Sequence, residues 1–221
     1  MGEGKVRVTL TSEGLIEVGG FPKGMDVLDP LEASSIDRLI LGGNMNFRDL
    51  VPLVGMRLRF LAMSEDGSVG DQALSLEPLR GMPLTEIHMD ARKVSDLSPL
   101  QGMPLEIFNA HGCGIVNLLP LRGAPLRWLS LLNNGVSNLG ALADSPIEYL
   151  DVEANPITDL SPLRGKQTLH TLKISGSRIT DLSPLRGTPI EECRGAIKSG
   201  KMRRRQGKAL EPWGWRVRRP C

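Results

Sequence analysis

The sequence predicts an α/β solenoid, a chain wound into stacked copies of one short coil, and three observations predict it. Pro30, Pro52, Pro78, Pro99, Pro120, Pro162 and Pro184 recur at intervals of 22, 26, 21, 21, 42 and 22 residues, each followed by a leucine. Ala141-Leu142 fills the missing beat, so one unit of about 21 residues can be followed from Leu31 to Leu185. A second set of prolines, at 83, 104, 125, 146 and 189, keeps its own phase, which places twelve of the sixteen prolines at two fixed positions of the unit. Within each unit a short stretch alternates apolar and polar residues, the pattern of a half-buried strand. Self-similarity at this period marks a repeat array, and it directs the functional expectation toward a binding surface instead of a catalytic pocket.

The units justify themselves element by element. Leu84, Leu105, Leu126, Ile147 and Leu169 open five regular units, preceded by less regular ones at Ile36 and Leu58 and followed by a partial one at Ile190. Apolar residues continue three and five positions later as Ile87/Met89, Phe108/Ala110, Leu129/Leu131, Leu150/Val152 and Leu172/Ile174, which defines the inward side of a strand. The phase of the second prolines, just ahead of each strand, is one where a missing N–H is tolerated. A further apolar residue follows ten positions after the opening one (Val94, Ile115, Val136, Ile157, Ile179), and then comes Asp-Leu-Ser-Pro-Leu-x-Gly or a variant of it. Ser98, Ser161 and Ser183 are placed to cap a helical turn, with Pro99, Pro162 and Pro184 at its first position. Gly102, Gly165 and Gly187 permit a left-handed exit. The spacing leaves room for about one turn of helix.

Leu-x-x-Leu-x-Leu, an Asn-like position, Ile or Val, and then Leu-Ser-Pro-Leu resemble the leucine-rich-repeat family. The form is the short-unit bacterial one, similar to internalin-type and phosphatase-regulator-type arrays, and the resemblance covers about residues 29 to 193. It implies a right-handed coil with a parallel β-sheet on the concave face, short 3₁₀ or turn segments on the convex face, and no active site or cofactor. The family's Asn position reads Asn44, Asp66, Arg92, Cys113, Asn134, Asn155 and Ser177 here, so the units at Arg92 and Cys113 need another way to satisfy the turn backbone. The second unit carries about five extra residues, most simply a loop at 66–71.

Three regions follow: an N-terminal cap at 1–35, repeats at 36–193 (about seven units and a partial one), and a basic, disordered tail at 194–221. In the cap, Val6, Val8 and Leu10 alternate and Leu15, Ile16 and Val18 read as a returning strand that would cover the first coil. The tail holds ten Lys or Arg and one acid, net +9, whereas the preceding 193 residues hold 17 basic and 24 acidic residues, net −7. Trp213 and Trp215 lie beside the tail's arginines. That combination admits nucleic-acid or anionic-surface binding through phosphate neutralisation and stacking, and it equally admits a solvated extension.

At 221 residues and 40% hydrophobic, the chain suffices for one extended domain. No run approaches the 18 apolar residues of a membrane span, and the start lacks an apolar signal segment, so the expectation is a cytoplasmic monomer with no membrane association. Three irregularly spaced cysteines make no disulfide framework. His88, Asp90, His111 and Cys113 approach one another along adjacent units, but Cys113 belongs to the inward side and the others to the outward side, so no metal site is expected. Phosphate-loop and nucleophile-elbow motifs do not occur, and an open sheet offers little shielding from water.

The outward positions of successive strands carry the candidate site. Two residues after each opening position the series is Arg38, Phe60, Glu86, Ile107, Trp128, Tyr149, Thr171, which sets Ile107, Trp128 and Tyr149 side by side. Two positions further it is Ile40, Ala62, His88, Asn109, Ser130, Asp151, Lys173. A chain with three tryptophans and one tyrosine thus places two of them on neighbouring outward positions. They form either a binding ridge for a protein partner or a stack that only stabilises the sheet. In the ridge reading Phe60, Ile107, Trp128 and Tyr149 are apolar anchors, His88, Asn109, Asp151 and Lys173 orient the partner, and Asp90, Asp151 and Glu153 form an acidic rim. The function expected is a non-enzymatic protein-interaction scaffold. The resemblance also implies an alternative, the docking region of a bacterial serine/threonine kinase or other enzyme.

Overall fold

The computed structural model describes residues 7–10, 16–19, 36–41, 50–63, 73–90, 93–94 and 96–194. The expected loop at 66–71, the ladder positions Asn44, Asp66 and Arg92, and the basic tail beyond Arg194 lie outside the described residues. So does the turn between the two N-terminal strands.

Among the described residues ten short strands form one sheet in strict chain order. They are β1 (Arg7–Leu10), β2 (Ile16–Gly19), β3 (Arg38–Leu41), β4 (Phe60–Met63) and β5 (Glu86–Asp90). The rest are β6 (Ile107–His111), β7 (Trp128–Ser130), β8 (Tyr149–Asp151), β9 (Thr171–Lys173) and β10 (Glu192–Arg194). β1 and β2 pair antiparallel as a hairpin, and every later neighbour pairs parallel. Strands and turns touch only the matching element of the next coil, so among the described residues each coil rests on its two neighbours alone.

The core follows from the alternation. Leu84, Leu105, Leu126, Ile147 and Leu169 are all fully buried, as are Ile87, Phe108, Leu129, Leu150 and Leu172 one strand position deeper. Burial of each such side chain contributes about 1.5–3 kcal/mol. Backbone groups at the coil entry are shared in a repeating way. The Thr85 carbonyl accepts the N–H groups of Glu106 and Ile107 at 2.8 and 3.1 Å, and Glu106, Arg127, Glu148 and His170 do the same for the coils that follow.

Among the described residues the convex side is built of seven three-residue 3₁₀ turns, including Val51–Leu53, Glu77–Leu79, Ser98–Leu100, Ser161–Leu163 and Ser183–Leu185. Gly102, Gly165 and Gly187 leave these turns at φ of 79°, 71° and 79°, the left-handed exit that the spacing predicts. The cap differs from expectation. Ser98, Ser161 and Ser183 are the first residues inside the turn, and the capping oxygen belongs to the aspartate two positions earlier. Asp96, Asp159 and Asp181 each accept the serine N–H and hydroxyl at 2.6–2.8 Å. In a turn this short the serine side chain has no free N–H two or three residues ahead to reach, so it becomes a donor to the aspartate. Those bonds hold all three carboxyls below the usual range: the Ser98 N–H leads at Asp96, and the serine hydroxyl leads at Asp159 and Asp181.

Inside the coil, Asn134 and Asn155 do the work the repeat pattern assigns to them. Asn155 Oδ1 accepts the Val136 N–H at 3.0 Å while Nδ2 donates to the carbonyls of Leu131 and Glu153 at 2.7 and 3.0 Å. Asn134 makes the equivalent bonds to the Ile115 N–H and the Ala110 and Leu132 carbonyls, and a further one to the Leu131 carbonyl. Cys113 replaces this arrangement in two parts. Its thiol donates to Met89 O and His111 O at 3.4 Å, and its own carbonyl takes the Val94 N–H at 2.8 Å.

Candidate functional site

Strand register sets the outward residues in two rows across the sheet. Arg38, Phe60, Glu86, Ile107, Trp128, Tyr149, Thr171 and Glu192 lie opposite one another in sequence, and Ile40, Ala62, His88, Asn109, Ser130, Asp151, Lys173 and Arg194 form the parallel row. The eight predicted contact residues therefore lie on the one concave face.

At its centre the Trp128 and Tyr149 rings stack with centroids 3.7 Å apart and planes 4° from parallel. The pairing contributes about 0.5–1.5 kcal/mol beyond its buried area. Trp128 nonetheless stays 44% exposed, beside half-buried Ile107 and Tyr149. Lys173 Nζ donates to the Tyr149 hydroxyl at 2.6 Å and stands 5.0 Å from the centre of its ring. The hydroxyl in turn donates to Asp151 Oδ2 at 3.4 Å, the same distance at which Lys173 meets that oxygen. Desolvation lowers the Lys173 pKa, but the bonds and charges of Tyr149 and Asp151 outweigh it and raise it, so the ammonium persists at neutral pH.

Two predicted contacts are less open than the alternation suggests. Asp151 is 6% exposed, with Oδ1 accepting the Glu153 N–H at 3.1 Å, so it works as the internal support of Tyr149 and Lys173. Phe60 is 9% exposed because the Arg38 guanidinium lies 3.9 Å over its ring and the His88 ring packs 5.6 Å away. A shielded carboxylate and a covered ring both come from long neighbours folding down onto the sheet, which column position alone does not reveal.

The other half of the face is polar. His88 Nε2 and Glu86 Oε1 are 2.6 Å apart, and His111 Nε2 meets the Ser130 hydroxyl at 2.7 Å, leaving Ser130 buried. Asn109 Oδ1 is shielded from solvent and accepts no hydrogen bond. Arg38 and Glu86 are the functional candidates that sequence reasoning passed over, although their places beside Phe60 and Ile107 in the outward row were the available signal.

No group of three or more His, Cys, Asp or Glu converges as metal ligands among the described residues, and the Asp90 side chain lies outside what is described. Burial pushes the Cys193 thiol up to about 11, which makes it a poor nucleophile. On the turn side a shallow groove of about 560 Å³ runs between Val51–Leu53 and Glu77–Leu79, lined by Val54, Arg57, Arg80 and Pro83. No helix among the described residues is long and apolar enough to cross a membrane.

No family model matches the chain, and no curated protein matches it in sequence. Solved structures do. Internalin C2 from Listeria monocytogenes aligns with a TM-score of 0.66 and 23% identity, over 81% of this chain and 80% of that one. An internalin (inlF) from the same organism aligns with a TM-score of 0.58 and 20% identity, over 74% of this chain and 56% of the internalin, so the match spans little more than half of that structure. Together with the single in-order sheet, the inward leucines and the Asn134 and Asn155 bonds, these likenesses identify the fold as the leucine-rich-repeat solenoid in its short-unit, internalin-like form.

Proposed function

We propose that the chain is a non-enzymatic interaction scaffold that binds a protein partner across its concave sheet. One observation carries this reading: Trp128, stacked on Tyr149 in mid-sheet, keeps 44% of its surface in water while the other large apolar side chains described in the sheet are buried or half-buried. Rigid, exposed aromatic rings of this kind are the side chains that anchor protein contacts. Ile107, Trp128 and Tyr149 supply the apolar centre, and His88, Asn109 and Lys173 orient the partner. Phe60 with Arg38, and Asp151 beneath Tyr149, hold the surface in shape. The face is an open sheet, and its polar pairs, Glu86–His88 and His111–Ser130, stand on that sheet instead of in a closed cleft, which favours binding over catalysis.

The test is recovery of partners from a native extract by the intact chain and by the Trp128→Ala/Tyr149→Ala double variant, with circular dichroism confirming that the variant folds. Loss of an anchoring pair weakens binding by about thirtyfold or more, so the variant should lose the partners that the intact chain retains. Equal recovery by both forms would defeat the reading.

A further inference from the structure

Resting on the scaffold reading, we propose that the concave face selects an arginine side chain on its partner, seated in the slot between Trp128 and Glu86. Two rings of the row already carry a cation from this chain, Arg38 over Phe60 at 3.9 Å and Lys173 beside Tyr149 at 5.0 Å. Among the described residues Trp128 carries none. One of its faces is filled by Tyr149, and the register turns the other toward β6, where the shorter Ile107 leaves it in the open.

The far wall of the slot is Glu86, which lies opposite Ile107 and therefore two strand spacings, roughly 10 Å, from Trp128. Its Oε1 is engaged by His88 at 2.6 Å, which leaves Oε2 to accept from elsewhere. An indole face and a carboxylate oxygen above an apolar floor both favour positive charge.

A guanidinium meets each of these at once. Its plane stacks on the indole while its charge stands opposite the Glu86 carboxylate. The ammonium of a lysine lacks the plane, and a neutral apolar group would cover Glu86 without a counter-charge.

The experiment selects binders to the full chain from a random twelve-residue peptide library and counter-selects on the Trp128→Ala/Tyr149→Ala variant. The enriched peptides should share an arginine. Its replacement by citrulline, equal in shape but uncharged, should weaken binding about tenfold, the factor expected for a partly desolvated cation–aromatic pair with a carboxylate. Glu86→Gln should weaken the arginine peptide by a similar factor and leave the citrulline peptide unaffected. Enriched peptides without a cation, or lysine serving as well as arginine, overturn the arginine assignment and spare the scaffold reading. Failure to enrich anything over the double variant overturns both.

Discussion

Replacing Asn155 by alanine tests the internal ladder where its bonds are most fully resolved. Asn155 is 1% exposed, and the substitution removes three hydrogen bonds at once. Two of the groups it leaves behind keep another donor: Leu131 O still accepts from Asn134 Nδ2 at 3.0 Å, and Glu153 O still accepts the Asn133 N–H at 3.0 Å. The third, the N–H of fully buried Val136, is left with no acceptor. An orphaned buried donor costs about 1–3 kcal/mol and each weakened carbonyl about half a kcal/mol more, which gives a loss of about 3 kcal/mol. Urea unfolding followed by circular dichroism measures it as a lowered midpoint at constant slope. Asn155→Asp sharpens the test. It restores the acceptor for Val136 but turns a carboxylate oxygen toward two carbonyls, so its native pKa rises above the unfolded value. The variant should then be most stable below the ordinary aspartate range and lose stability as pH rises through the raised native value. A loss below 1 kcal/mol for Asn155→Ala, or an Asn155→Asp variant insensitive to pH, would refute the ladder argument.

Cys193 supplies a kinetic prediction. With its thiol moved from 9.0 to about 11, the thiolate fraction at pH 8 falls by about a hundredfold. Alkylation at pH 8 in a Cys221→Ser background, followed by mass spectrometry, should be slower than in urea by a factor of that order, and rates within threefold of each other would contradict it. The capping aspartates predict an acid response. Because the native pKa values of Asp96, Asp159 and Asp181 are depressed, their stabilisation is fully present above the ordinary value near 3.8 and is lost as pH falls through the lower native values. Replacing all three by Asn, the residue already found at the matching positions 117 and 138, should flatten the decline of the thermal midpoint below pH 4; an unchanged slope would show that the carboxyls do not matter there.

The fold was legible because the two proline phases and the inward leucines state the same period independently, and each coil contacts only its neighbours. Row membership was legible too, since side chains alternate and the coils are in register. What alternation does not encode is how long side chains settle on that surface. Phe60 lies beneath Arg38, and Asp151 sinks between Tyr149 and Lys173, because arginine and lysine stems drape over rings one rung away. The serine cap misled for a related reason: Ser-Pro opens an ordinary helix, but a three-residue turn leaves the serine inside and passes the role to Asp96 and its equivalents.

Because every coil donates one side chain to each row, distances along the binding face come in whole steps of about 4.8 Å. Duplicating or deleting one 21-residue segment between Glu86 and Trp128 would widen or close the gap by a single step and leave both walls chemically intact. The architecture therefore offers evolution, or a designer, a ruler with fixed graduations: reach is adjusted by whole-unit insertion, and chemistry by point substitution at a chosen mark.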